Sequence, residues 1–157
     1  MVDKNQAVID YLITCPQIQA NPLFFNFLNA KEGNKQLIAS GNDKTMNKPY
    51  IDGSIAKRYT FTIIDYRSVA YQAVVKQAGY VNENVEEAWN VQGIMDWINE
   101  QNDLRNFPNF GAECIIDEIR TLTENPNLNG VDTSLTPALA KYSMSIQIDY
   151  LDISKAI

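Results

Sequence analysis

Polar and apolar residues alternate most regularly near the end of the chain. Tyr142, Met144, Ile146, Ile148 and Tyr150 interleave with Ser143, Ser145, Gln147 and Asp149. That is the period of a strand with one buried and one wet face. The same period runs through 55–66, where Tyr59, Phe61 and Ile63 interleave with Arg58, Thr60 and Thr62. Ile64 and Tyr66 break the pattern and predict burial on both faces there. Two other stretches carry helical spacing. Over 3–15, Ala7, Val8, Tyr11, Leu12 and Cys15 share one stripe, with Asp3 placed to cap it and Pro16 to stop it. From Asn84, a capping arrangement with Glu87 precedes Ala88, Val91, Met95 and Ile98 at 3–4–3 spacing, flanked by Trp89 and Trp97. Glu86 adds charge suited to the start of that helix.

The remaining segments are less regular. Residues 23–30 and 35–40 predict a hairpin, turning at Lys31-Glu32-Gly33-Asn34. Residues 41–53 are polar and rich in breakers, which predicts a long loop that orders on assembly. Residues 67–81 fit either a strand or a helix. In 112–122, Ile115, Ile116, Ile119 and Leu122 suit a helical face, while the β-branched content favours a strand with a bulge. Pro126, Gly130 and Pro137 make 123–140 read as a loop. No repeat or linker divides the chain, so 1–157 is expected to be a single domain. The fold class this order predicts is α+β, a mostly antiparallel β-sheet with two main helices packed on one face. Phe61, Ile63, Ile146 and Ile148 are expected to pack under the helix bearing Ala88, Val91 and Met95.

Composition narrows the chemistry. A chain of 157 residues that is 45% hydrophobic can bury a real core. Its net charge of -6, from 13 basic and 19 acidic residues, argues against gripping nucleic acid. The nearest basic stripe, Lys44, Lys48, Lys57 and Arg58, is diluted by Asp43 and Asp52. No apolar run approaches the ~20 residues of a membrane span, and the start is too polar for a signal peptide, so folding in the cytoplasm is expected. Cys15 and Cys114 stand far apart in apolar surroundings, which suits reduced thiols better than a disulfide or a CxxC metal site.

Histidine is absent. That removes Ser-His-Asp and Cys-His pairs and the commonest zinc ligand. The acidic pairs Glu86–Glu87 and Asp117–Glu118 read as helix-start charge and as residues on opposite faces of a strand. Asp43-x-Thr45-x-Asn47 lacks the glycine and distant glutamate of a calcium loop. No Gly-rich phosphate loop is present. The expectation is no catalytic, cofactor-binding or metal residue and no cofactor. A small carboxylate enzyme and a ligand-binding domain are the readings of a different class.

Three stretches resemble a known family. They are Lys57-Arg58-Tyr59-Thr60-Phe61-Thr62-Ile63, Asn90-Val91-Gln92-Gly93-Ile94-Met95-Asp96-Trp97-Ile98, and the combination of Ile115 to Leu122, Pro126-x-Leu128-x-Gly130-Val131-Asp132 and Ala140-Lys141-Tyr142-x-Met144-x-Ile146-x-Ile148-x-Tyr150. Together they resemble the tail-terminator, or minor capsid, proteins of long-tailed bacteriophages. The resemblance implies a structural protein of the virion neck, assembled in the host cytoplasm, whose copies form a homo-oligomeric ring, typically a hexamer. Such a ring caps the tail tube protein, stops tube growth and joins the tail to the head connector. The 41–53 loop is expected to order against a neighbouring subunit or the tail tube. DNA would pass through without specific binding, past an acidic lumen for which Glu83, Glu86, Asp117 and Asp149 are candidates. Another neck or head-completion protein, or a tail component of a contractile device, is the alternative within the same class.

Overall fold

The alternating segments pair with each other. The computed structural model describes residues 3–19, 23–25, 35–38, 43–68, 83–122, 127–132 and 139–157. In chain order its elements are α1 (Lys4–Leu12), α2 (Pro16–Gln19), β1 (Leu23–Phe25), β2 (Lys35–Ile38), β3 (Asp43–Pro49), β4 (Ile55–Ser68), α3 (Glu83–Asp103), β5 (Cys114–Thr121), β6 (Asn127–Asp132) and β7 (Leu139–Asp152). β4 and β7 are antiparallel over their whole length, from Ile55↔Asp152 to Ser68↔Leu139. At the usual rise per residue this ribbon is roughly 45 Å long. Its two outer edges are each filled by two short strands in tandem. β3 and β2 follow one another along β4, and β5 and β6 along β7. β1 completes the sheet beyond β2.

One face of the ribbon lies under the helices. Phe61, Ile63, Met144, Ile146 and Ile148 are fully buried there with Leu12, Ile94, Met95 and Ile98. The α+β architecture, with a mostly antiparallel sheet and its two main helices on one face, is the one that alternation and helical stripes imply. Aromatic packing extends the core towards the start of β4. Phe110 meets Tyr59 and Tyr150 edge-on, at centroid distances of 5.8 and 5.4 Å. Ala88 and Val91, expected in this core, belong to the part of α3 whose side chains are outside the described residues. Ile64 and Tyr66 are buried on the opposite face, as the broken alternation predicts.

The helix ends follow local chemistry. Asp3 caps α1, accepting from the Asn5 and Gln6 N–H groups at 2.9 and 3.4 Å. Pro16 does more than stop the helix: it opens α2, where its missing N–H costs nothing. Asn84 lies inside α3, which begins at Glu83, rather than before it. At its other end α3 closes on a left-handed Arg105, φ 53°. The Asn106 N–H reaches Gln101 O at 2.9 Å and the Arg105 N–H reaches Asn102 O at 3.0 Å, satisfying two terminal carbonyls.

Four expectations are overturned. β1 and β2 run parallel, Leu23↔Lys35 to Phe25↔Leu37, so they are not a hairpin. A tight turn can join only antiparallel strands, and the predicted turn at 31–34 lies outside the described residues. Residues 41–53 are not one long loop, because 43–49 form β3 along the edge of β4. Its backbone groups find partners within the same chain, and Pro49 sits at the end of an edge strand, where proline is tolerated. Part of 123–140 is likewise β6, whose irregular register between Leu128 and Gly130 accommodates Gly130; Pro126 and Pro137 lie outside the described residues. Finally, Asp117 and Glu118 do not alternate across β5. A register shift between Ile116 and Glu118 turns Ile116 and Ile119 inward, three residues apart, and leaves Asp117 exposed and Glu118 half-buried. That bulge explains why a strand carries helix-like spacing. Of the ambiguous stretch 67–81, residues 69–81 lie outside the described residues.

Candidate functional site

The face of the β4–β7 ribbon turned away from α1 and α3 is polar over its 56–62 half. Register sets which side chains meet. Arg58 lies opposite Asp149, and its Nε and Nη2 reach the two carboxylate oxygens at 2.7 and 3.3 Å. This two-point geometry suits a planar guanidinium and strengthens the pair. Gln147, 4% exposed, donates to the same carboxylate at 3.2 and 3.1 Å. Thr62 and Ser145 are also in register, with hydroxyls 3.2 Å apart. On the neighbouring β5, Glu118 and Arg120 approach to 3.3 Å, but nearly half of each side chain is exposed, so that pair adds little stability.

The hairpin end of the ribbon is stiffened by two matching turns. Asp52 accepts from the Ser54 N–H at 3.0 Å and its hydroxyl at 2.6 Å. Asp152 accepts from Ser154 in the same way, at 2.9 and 2.6 Å. The Lys57 ammonium donates to the other Asp152 oxygen at 2.8 Å. The Ile157 N–H then reaches Asp52 O at 2.8 Å, which fastens the C-terminal turn to the hairpin turn.

On the polar face beside this end lies a cleft of about 410 Å³. Ala56 and Leu151 line it, as do Tyr50, Ile115 and the Arg58–Asp149 pair. Tyr50 and Ile115 are each 53% exposed. Asp117, exposed at the β5 bulge, also lines it. A second cleft, about 420 Å³, runs along α1 by Asp3, Gln6, Asp10 and Phe107. Its carboxylates are already engaged, Asp3 as helix cap and Asp10 by Gln6 Nε2 at 2.8 Å.

Shifts in proton affinity on and beside the polar face all favour the charged form. Asp149 raises the Arg58 pKa through hydrogen bonding. The Lys57 and Ser154 hydrogen bonds hold Asp152 well below the usual carboxylate range, and Ser54 lowers Asp52. A general acid or base at neutral pH needs the opposite trend, toward a mixed protonation state. These groups carry their ordinary charges at neutral pH.

Neither a protein-family model nor a curated protein matches the sequence. Among the described residues, no group of three or more Cys, Asp or Glu side chains is placed to hold a metal ion, and no helix is long and apolar enough to cross a membrane. Asp43, Thr45 and Asn47 fall on β3 rather than on a looped ligand cradle. Glu86 and Glu87 fall within α3.

The lumen candidates separate on inspection. Asp149 is held by Arg58 and Gln147, so its charge is compensated. Asp117 is exposed. Glu83 and Glu86 lie on the part of α3 whose side chains are outside the described residues. Sequence reasoning did not single out Tyr50, Ala56 or Leu151. They belong to three different strands or turns, and only strand register brings them to one cleft.

Proposed function

We propose that this chain is a structural ring-forming protein of a phage neck, of the tail-terminator kind. The observation that carries the proposal is where the resembling stretches fall. They coincide with β4, α3, β5, β6 and β7, the elements that build the long ribbon and the helix layer behind it. A stiff sheet backed by helices on one face and presenting paired polar groups on the other suits a subunit that works by its surface. In this reading copies close into a ring on the last tube ring of the tail, block further tube addition and present a second surface to the head connector.

DNA would pass the ring without being held. Each uncompensated cation meeting a phosphate would add salt-dependent affinity. Lys57 and Arg58, the basic residues of β4 nearest the cleft, are matched by Asp152 and Asp149. A near-neutral wall with exposed Asp117 is a better fit to this role than the strongly acidic lumen that net charge alone suggests.

The test is assembly on tails that lack their terminator. Adding the purified chain should give a ring of density at the tube end by cryo-electron microscopy and tails of uniform length. If tails bind no copy of the chain, and their length distribution does not change with it, the proposal fails.

A further inference from the structure

The hairpin turn joining β3 to β4 sets a carboxyl group beside a main-chain nitrogen that no side chain shields. Asp52 is exposed, and Gly53 follows it as the one Asp–Gly pair of the chain. The fold itself calls for both residues. Asp52 provides the acceptor for Ser54, and Gly53 has φ +90° with a Cβ position 2.4 Å from Lys155 O. The Ser54 N–H and hydroxyl both donate to Asp52 Oδ1, at 3.0 and 2.6 Å. Ser54 is 1% exposed, so these donors are held in place. Asp52 Oδ2 has no partner among the described residues.

The C-terminal turn is an internal control. Asp152 accepts from the Ser154 N–H and hydroxyl at 2.9 and 2.6 Å, almost the same geometry. Its other oxygen, however, is held by the Lys57 ammonium at 2.8 Å. The residue after it is Ile153, whose N–H is bonded to Glu113 O at 2.8 Å. The two turns bind one carboxylate oxygen alike and differ in the next nitrogen and in the second oxygen.

We infer that Asp52–Gly53 is a self-modification site, at which Gly53 N attacks Asp52 Cγ and the turn converts to isoaspartate. The chemistry needs only water. The carboxyl reacts in its neutral form, with the proton on Oδ2. The N–Cγ bond forms and the Cγ–Oδ2 bond breaks. Oδ2 departs as water, carrying its own proton and the Gly53 amide proton. Attack gives up the Gly53 N–H bond to Tyr50 O, 3.0 Å long. The two Ser54 donors stabilise the negative charge that develops on Oδ1. Water then opens the succinimide. Opening at Cγ restores aspartate, and opening at the former main-chain carbonyl gives isoaspartate. No atom is oxidised or reduced.

The product changes what the turn can hold. Its main chain runs through the former side chain and is one carbon longer. The carbonyl that accepted the Ile157 N–H at 2.8 Å becomes a carboxylate off the main chain. The C-terminal turn is thereby released from the hairpin. This inference is independent of the ring reading.

The experiment incubates the full chain in mild acid, where more of the carboxyl is neutral, once folded and once unfolded in guanidinium. Circular dichroism confirms the state of each sample. Heavy-oxygen water is the solvent, and isoaspartyl methyltransferase labelling with peptide mapping locates the product. Mapping by position separates Asp52 from Asn129–Gly130, which reaches isoaspartate by deamidation instead. The expected result is isoaspartate at position 52 of the folded chain, carrying heavy oxygen, with none at Asp152. Asp52→Glu, which cannot close the succinimide, should abolish it. The isomerised chain, separated by chromatography, should lose hydrogen-exchange protection at the Ile157 N–H and melt lower. Product at position 52 in the unfolded chain only, or in neither sample, would overturn the site. Equal product at Asp152 would overturn the roles given to Gly53 and Lys57. An isomerised chain with unchanged exchange and melting would overturn the release of the C-terminal turn.

Discussion

Replacing Gly53 by alanine probes how the hairpin turn and the C-terminus hold each other. Gly53 has φ +90°, and a Cβ built there falls 2.4 Å from the Lys155 carbonyl oxygen and 3.3 Å from its carbon. The left-handed backbone costs an L-residue about 1–2 kcal/mol. The alanine regains about 0.4–1 kcal/mol by restricting the unfolded chain. The obstacle is backbone, so no rotamer change relieves it. The C-terminal turn must move and give up the Ile157 N–H bond to Asp52 O, at 2.8 Å, worth about 1 kcal/mol. The net expectation is a loss of about 1–3 kcal/mol, or roughly 3–10 °C in Tm for a domain of this size. Urea denaturation of Gly53→Ala should show it. Repeating the substitution in a chain ending at Ser154 separates the two causes, because truncation removes the clash and keeps the strain. The alanine should then cost about 1 kcal/mol less, a coupling of the size expected between touching groups. A neutral Gly53→Ala in the full chain would refute the reasoning. Equal costs in both backgrounds would remove the steric half of it.

Four further outcomes are expected. Phe61→Ala, at a fully buried position in the centre of the ribbon, should lose about 3–5 kcal/mol by denaturant unfolding. The Tyr11 hydroxyl is buried with no hydrogen-bond partner among the described residues, and burial pushes its pKa up, so Tyr11→Phe should be neutral or stabilising by up to about 1–2 kcal/mol. Tyr59→Phe, which loses the bond from the Tyr59 hydroxyl to Asn5 Oδ1, should instead cost about 1 kcal/mol in the same assay. Asp152 gives a pH dependence of known sign. Its folded pKa lies below the ordinary value, so its contribution is present above about pH 3.9 and is lost as pH falls toward the folded value. Wild type should therefore lose more stability than Lys57→Gln between about pH 6 and pH 3, by less than about 1 kcal/mol for so exposed a pair.

Side-chain periodicity is local, and everything that depends on it alone was readable along the chain. Alternation at Tyr142–Tyr150 and Tyr59–Ile63 specified two half-buried strands, and the spacing of Ala7, Val8, Tyr11 and Leu12 specified a helix with a single apolar face. Asp3 beside that stripe specified where the helix begins. The interruption at Ile64 and Tyr66 specified burial on a second face. Pairing is not local. Whether 23–25 and 35–38 run parallel or antiparallel depends on the strand beyond them, and a glycine-containing turn cannot report that. Polar β3 and β6 become strands because long neighbours offer unpaired backbone groups, a reward invisible in their own side chains. The bulge at Asp117 is likewise a property of the β5–β7 pair: it moves one residue out of register, gives a strand the spacing of a helix and leaves a carboxylate exposed beside the cleft. The cleft itself depends on Tyr50, Ala56, Ile115 and Leu151 arriving from separate segments. Only the tertiary structure could bring them together, because cross-strand register, and not sequence order, decides which side chains share a face.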